Sequence, residues 1–213
     1  MKKLVIVGNG GFAREVEWLV ERINAVSPTW DFLGFIDDNQ DNPKTIGNDD
    51  YVVAFQEELY VAIAIGTSGI REKIYKNYKQ NPNIRFANLI DPSVMCSHRV
   101  VFGEGNIICA GTIITVDIRI GNCNIINLDC TVGHDAVLED FVTVNPSVNI
   151  SGNVHLGAGT NIGTGTQIIQ GISVGANSIV GAGAVVNREL PANCTAVGIP
   201  AKVIKIREVA ADE

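Results

Sequence analysis

His134 is followed directly by Asp135, and Asn127 stands seven residues before it. A carboxylate beside an imidazole fixes its tautomer and makes the other ring nitrogen a stronger proton acceptor, so the pair is a candidate general base. Asn145, 18 residues after Asn127, places a second amide in the same register. Another constellation opens the chain. Gly8, Gly10 and Ala13 satisfy the G-x-G-x-x-G/A pattern, in which backbone N–H groups and a helix N-terminus receive phosphate charge. Asp37-Asp38 and Gly66-Thr67-Ser68 follow two further apolar runs. Plainer readings stand beside these: His134 and the asparagines as solvated corner residues, and the two aspartates as an ordinary turn.

Two kinds of element would have to position these groups. In the first ninety residues Leu4 to Val7 reads as a buried strand, Gly8 to Gly11 as a tight turn, and Phe12 to Ile23 as an amphipathic helix with Val16, Leu19, Val20 and Ile23 on one face. Further strands are predicted over Phe32 to Ile36 and Val61 to Ile65, and a helix from about Ile70 to Tyr78. Gly or polar residues thus follow three strand ends, where open α/β sheets bind ligands. The acidic pair falls beyond the spacing of about 20 residues usual for dinucleotide folds. No second nucleotide-binding half fits before the pattern changes, so a mononucleotide or nucleotide-sugar site is the better match.

From Phe102 onward every sixth residue is large and apolar: Ile108, Ile114, Ile120, Ile126, Val132, Leu138, Val144, Ile150, Leu156, Ile162, Ile168, Val174, Val180 and Val186. A period of six suits neither a helix nor a simple alternating strand. It suits a parallel β-helix, in which short strands alternate with corners and three faces make a coil of 18 residues. Small residues two positions earlier, such as Thr112, Cys130 and Ala136, would fill the corners. The glycines that follow the apolar residue (Gly121, Gly133, Gly157, Gly163) are expected to supply the turning angles. Residues 18 apart then stack at about 4.8 Å. On that ruler His98 and His134, two coils apart, are separated by about 9 to 10 Å. Nitrogen ligands sit at about 2.0 to 2.1 Å from a metal ion, and His155 falls on another part of the cross-section. No metal site is therefore expected within one chain, although a site shared across subunits stays open.

The 213 residues divide into an expected nucleotide-binding domain over 1–90 and a β-helix over 91–213 with a short C-terminal tail. A formal charge of −7 argues against nonspecific nucleic-acid binding. No apolar stretch approaches the roughly 18 residues that would cross a bilayer, and no signal peptide is legible, so a cytoplasmic protein without membrane contact is expected. The five cysteines form no Cys-x-x-Cys pair and read as small core or corner residues. Lys202, Lys205 and Arg207 are either phosphate donors or a solvated tail.

Taken together, Gly8-Asn-Gly-Gly-Phe-Ala-Arg-Glu-Val16, Phe35-Ile-Asp-Asp38, Ala64-Ile-Gly66, Ile70-Arg71, Asn127, His134-Asp135, Ser151-Gly152 and Gly198-Ile-Pro-Ala-Lys202 resemble the PglD/NeuD-like sugar acetyltransferases over nearly the whole chain. The resemblance implies an N-terminal Rossmann-like domain, a left-handed β-helix and a homotrimer with sites between adjacent subunits. It also implies acetyl-CoA as donor and a nucleotide-linked amino sugar, often a 4-amino-4,6-dideoxy sugar, as acceptor. By the same resemblance His134 is the general base and Asp135 its acidic partner. Gly10, Gly11, Phe12, Asp37, Asp38 and Gly66 hold the nucleotide, and Asn127 lies near the sugar. Gly152, Thr164 and Ala182 line the coenzyme. Phe12 stands where many members have His, and Thr143 stands where many place a second His that contacts acetyl-CoA. O-acetylation of a sugar such as a sialic acid, or a non-catalytic nucleotide-binding trimer, are the competing expectations.

Overall fold

The computed structural model describes residues 1–207, so the last six residues of the expected C-terminal tail lie outside the described residues. The N-terminal part is a five-stranded parallel sheet. Its strands are β1 (Lys2–Val7), β2 (Trp30–Ile36), β3 (Thr45–Gly47), β4 (Leu59–Ile63) and β5 (Ile84–Phe86), and its helices are α1 (Gly11–Val26), α2 (Asp49–Val53) and α3 (Ser68–Tyr78). The sheet order is β3-β2-β1-β4-β5. The apolar run of β1 explains its central place: Leu4, Val5 and Ile6 are fully buried, because helices or coils cover both faces of a parallel sheet. Chain reversal on the two sides of β1 leaves a crevice at the carboxyl ends of β1, β2 and β4. β3, α2 and β5 carry too few apolar residues to show a periodicity of their own in the sequence.

From Leu89 the chain winds as a left-handed parallel β-helix of two-residue strands on three faces. The first face runs from Leu89–Ile90 through Ile125–Ile126 and Thr143–Val144. The second includes Thr131–Val132 and Asn149–Ile150, and the third Val137–Leu138 and His155–Leu156. The 18-residue ruler holds, since Ile114 pairs with Val132, Ile126 with Val144 and Leu138 with Leu156. The every-sixth aliphatic residues fill the prism from Ile108 to Val186. Lys202–Ile206, expected as part of a tail, is a strand antiparallel to Cys194–Val197 and closes the first face. Cys96 departs from the core reading because it sits in the first coil, which has no preceding coil to cover it, and it is exposed.

The expected role of the glycines is corrected. The left-handed backbone angles fall two residues later, at Asp117, Cys123, Asp129, Asp135, Phe141, Ser147 and Asn153 and at Gly159 and Gly165. Gly133, Gly157 and Gly163 are needed for closeness instead. A Cβ on Gly133 would stand 2.6 Å from the Gly152 nitrogen, and one on Gly157 2.5 Å from that of Ala176. Successive coils meet backbone to backbone at these corners.

The sheet domain packs on the first face. Ile107, Cys109 and Ile125 join a core with Leu4, Val16 and Leu19, while Cys123 and Phe141 join one with Val5, Ile63 and Tyr78. Arg22 of α1 reaches the buried Asp91, donating through Nε to Oδ2 at 2.5 Å and through Nη2 to Oδ1 at 3.0 Å. Ser93 adds its N–H and hydroxyl on Oδ1. The Arg22 bond, helped by Ser93, holds the Asp91 carboxyl at about 2, below its ordinary 3.8. A depressed carboxylate contributes stability above its unfolded pKa and loses it as pH falls through the folded value. Asp91→Asn should therefore lower the thermal unfolding midpoint at pH 7, with the gap from the parent protein closing between pH 4 and pH 2. An equal gap at both ends of that range would contradict the assignment.

Candidate active site

His134 and Asp135 occupy the corner between the second and third faces. Asp135 holds the left-handed turn (φ 60°), and its Oδ2 lies 2.8 Å from His134 Nδ1. With Nδ1–H donated to the carboxylate, Nε2 presents its lone pair. Both side chains are about half exposed, and the ring's side-chain hydrogen bond to Asp135 uses Nδ1 and not Nε2. One coil on, the Cα of Gly152 lies directly against the ring, and a Cβ there would overlap Nε2 and Cε1. Asn153 N–H donates to the His134 carbonyl at 2.7 Å and fixes the register of the two coils. The spacing that stacks the coils thus seats the imidazole over bare backbone.

The other candidates lie elsewhere on the prism. Asn127, Thr164 and Ala182 share the corner between the first and second faces. The amides of Asn127 and Asn145 do not pair with each other. Asn127 Oδ1 accepts from Leu128 N–H, and Asn145 Nδ2 donates to Asn161 Oδ1 and the Ile162 carbonyl. Thr164 and Ala182 are exposed and stack 18 residues apart, and Gly183 N–H donates to the Thr164 carbonyl. Thr143 does not line an open surface. It is 4% exposed on the first face, where Oγ1 accepts from Arg71 Nη2 and donates to the Gly66 carbonyl.

At the carboxyl ends of the sheet strands, a cavity of about 290 Å³ is lined by Val7, Gly8, Ile36, Asp37, Asp38, Asp49, Ile65, Ile70 and Ile74. Gly10 and Gly11 open the N-terminus of α1 beside it. Gly10 caps the helix without a side-chain bond, the first turn holds no acid, and a Cβ on Gly10 would meet nothing within 4 Å. Those free N–H groups suit an anion. Asp37 is tied into the loop, accepting from Asn9 N–H and Asn39 N–H, while Asp38 is exposed. Gly66 is exposed with open space over its Cα. Phe12 is half-buried against the core between α1 and the first face. Among the described residues no three His, Cys, Asp or Glu side chains cluster as metal ligands, and no helix is long and apolar enough to cross a membrane. Burial raises the Cys130 thiol to about 11 and those of Cys109 and Cys123 to about 12, so these are packing groups and not nucleophiles at neutral pH.

The family model of the PglD N-terminal domain matches residues 3–78. PerB from Caulobacter crescentus, solved in complex with CoA and GDP-perosamine, is 31% identical with a TM-score of 0.87, and the match covers 96% of this chain and 98% of that one. WeeI from Acinetobacter baumannii is 30% identical with a TM-score of 0.85, covering 96% and 100% of the two chains. The chain belongs to the PglD-like sugar acetyltransferase family. The acetyltransferase domain of PglB from Neisseria gonorrhoeae, in complex with acetyl coenzyme A, is 28% identical with a TM-score of 0.86 and covers 95% and 99%. Comparison with curated protein sequences found no match.

As an acetyltransferase of this family, the protein carries a residue whose place the sequence motif alone did not explain. Arg71 is buried behind Gly66, and its signal was a basic residue in the first turn of a helix, where acids are favoured. The contact at Gly152 gives a direct test. Its backbone angles admit alanine, so Gly152→Ala should keep the fold but push the His134 ring aside. Acetyl transfer should fall about a hundredfold, the scale of losing one general base, with an unchanged circular dichroism spectrum. Parent-like turnover would show that the ring position is immaterial.

Proposed function

We propose that the enzyme transfers the acetyl group of acetyl-CoA to the amine of a nucleotide-linked amino sugar, of the 4-amino-4,6-dideoxy class. The observation that carries this reading is the His134 ring, held through Nδ1 by Asp135 with Nε2 free above Gly152. Nε2 accepts a proton from the sugar amine as that nitrogen attacks the thioester carbonyl. The tetrahedral intermediate collapses with loss of the CoA thiolate, which takes the proton back from the imidazolium. The Asp135 carboxylate offsets the charge that develops on the ring. The Gly152 backbone lies close enough to border the thioester, and no acyl-enzyme is needed. PerB, bound to CoA and GDP-perosamine, supports both substrate classes.

The nucleotide of the acceptor enters the crevice lined by Asp37 and Asp38, its phosphates facing Gly10 and Gly11. The sheet domain covers the first face of its own β-helix, whereas His134 lies on the opposite edge. Packed sheets alone stand about 10 Å apart, so the crevice and the base of one chain do not adjoin. A homotrimer in which one copy supplies the nucleotide domain and another the His134 edge resolves this separation. It also explains why Thr164 and Ala182 lie on a different edge from Gly152.

His134→Ala should lower turnover by about two to four orders of magnitude without altering the oligomer, and Asp135→Asn should cost less. The assay is coenzyme release with a panel of uridine, thymidine and guanosine diphosphate amino sugars. Mass spectrometry and NMR of the product should place the acetyl group on nitrogen. A product acetylated on a hydroxyl, or full activity without His134, would contradict the reading.

A further inference from the structure

Arg71 is 1% exposed, and none of its hydrogen-bond partners is a carboxylate. Its Nε donates to the Cys123 carbonyl at 2.7 Å. Nη1 donates to the carbonyls of Ile65 (2.6 Å) and Gly66 (3.2 Å). Nη2 donates to the Phe141 carbonyl (2.6 Å) and to Thr143 Oγ1 (2.9 Å). Two of these acceptors belong to the loop after β4. The rest belong to two successive coils of the β-helix, since Cys123 and Phe141 stand 18 residues apart. Thr143 closes the set by donating its own hydroxyl proton to the Gly66 carbonyl at 3.1 Å.

A buried cation without a counter-ion is costly, and apolar packing would join two domains at less expense. The first turn of a helix is also the unfavourable end for a positive charge. What the planar fork provides, and apolar packing does not, is direction. It pins the Gly66 carbonyl from behind, while the space over the Gly66 Cα stays open and Ile65 beside it and Ile70 of α3 line the crevice.

We propose that Arg71 and Thr143 are positioning residues for the nucleotide-linked acceptor, locking the loop at Ile65-Gly66 to the β-helix, and that Thr143 serves this substrate and not acetyl-CoA. The proposal rests on the reading that the crevice holds the acceptor's nucleotide. It reassigns Thr143 from the coenzyme contact that the family resemblance implies at that position. The hydroxyl that a coenzyme would need is already engaged, on a face covered by the protein's own sheet domain.

The test compares Thr143→Val, which keeps the shape and removes the hydroxyl, with Thr143→Ser, which keeps the hydroxyl. Uridine, guanosine and thymidine diphosphates and acetyl-CoA are titrated calorimetrically into each protein, and both KM values are measured. With Thr143→Val, affinity for the preferred nucleoside diphosphate and KM for the nucleotide sugar should worsen about 5- to 20-fold, the effect of one hydrogen bond. KM for acetyl-CoA should stay within about twofold and kcat within about threefold, and Thr143→Ser should restore nucleotide affinity. Loss confined to acetyl-CoA, equal loss for both substrates, or no change in either would overturn the proposal while leaving the acetyl-transfer reading intact. A parent protein that binds none of the diphosphates, while His134→Ala still abolishes transfer, would remove the nucleotide reading and this inference with it.

Discussion

Everything in this molecule depends on how closely one coil of the β-helix lies on the next. The inward aliphatic ladder sets the repeat, and each residue from Ile108 to Val186 rests on its counterpart 18 positions away. At the corners the backbones approach so nearly that Gly133 and Gly157 leave no room for a Cβ. The same closeness at Gly152 brings bare backbone under the ring of His134. Packing and chemistry therefore share one constraint. A side chain on Gly152 would leave the prism intact and move the group on which the proposed proton transfer depends.

The second determinant is which face of the prism the sheet domain covers. Apolar contacts with Ile107 and Ile125, the Arg22 to Asp91 pair and the Arg71 fork all fasten that domain to the first face and the edges on either side of it. The crevice proposed to hold the nucleotide consequently opens on one side of the chain, and His134 stands on the far edge. Such an arrangement fits the proposed site between copies, with the coenzyme candidates split between two edges. The buried guanidinium matters here because it gives the join a defined direction.

Much of this was legible in the sequence, for identifiable reasons. The six-residue period survives because every coil buries the same position, and the stacking of residues 18 apart followed from it. The strand, glycine turn and helix at Leu4 to Ile23 were readable because the strand is apolar throughout and the helix has a clear face. The function of the corner glycines was not, since closeness between coils and left-handed angles both select glycine and only coordinates separate them. Asp135 and Asn153 carry those angles instead. The surroundings of Thr143 were illegible for a related reason: its register placed it correctly in a coil, but register does not say which face another domain covers. The partners of Arg71 lie up to 72 residues away in the chain, beyond the reach of any local pattern. Lys202–Ile206 reads as a charged tail because its lysines are soluble on any exposed edge, while its pairing with Cys194–Val197 is a tertiary fact.

The proposed mechanism turns on Nε2 of His134 taking the proton from the acceptor amine. A crystal structure of the protein with coenzyme A and its nucleotide amino sugar tests it most directly. The sugar nitrogen should lie within hydrogen-bond reach of that atom, about 2.6 to 3.2 Å, with the nucleotide held in the crevice of another copy. An amine seated against a different side chain, with His134 facing only solvent, would contradict it.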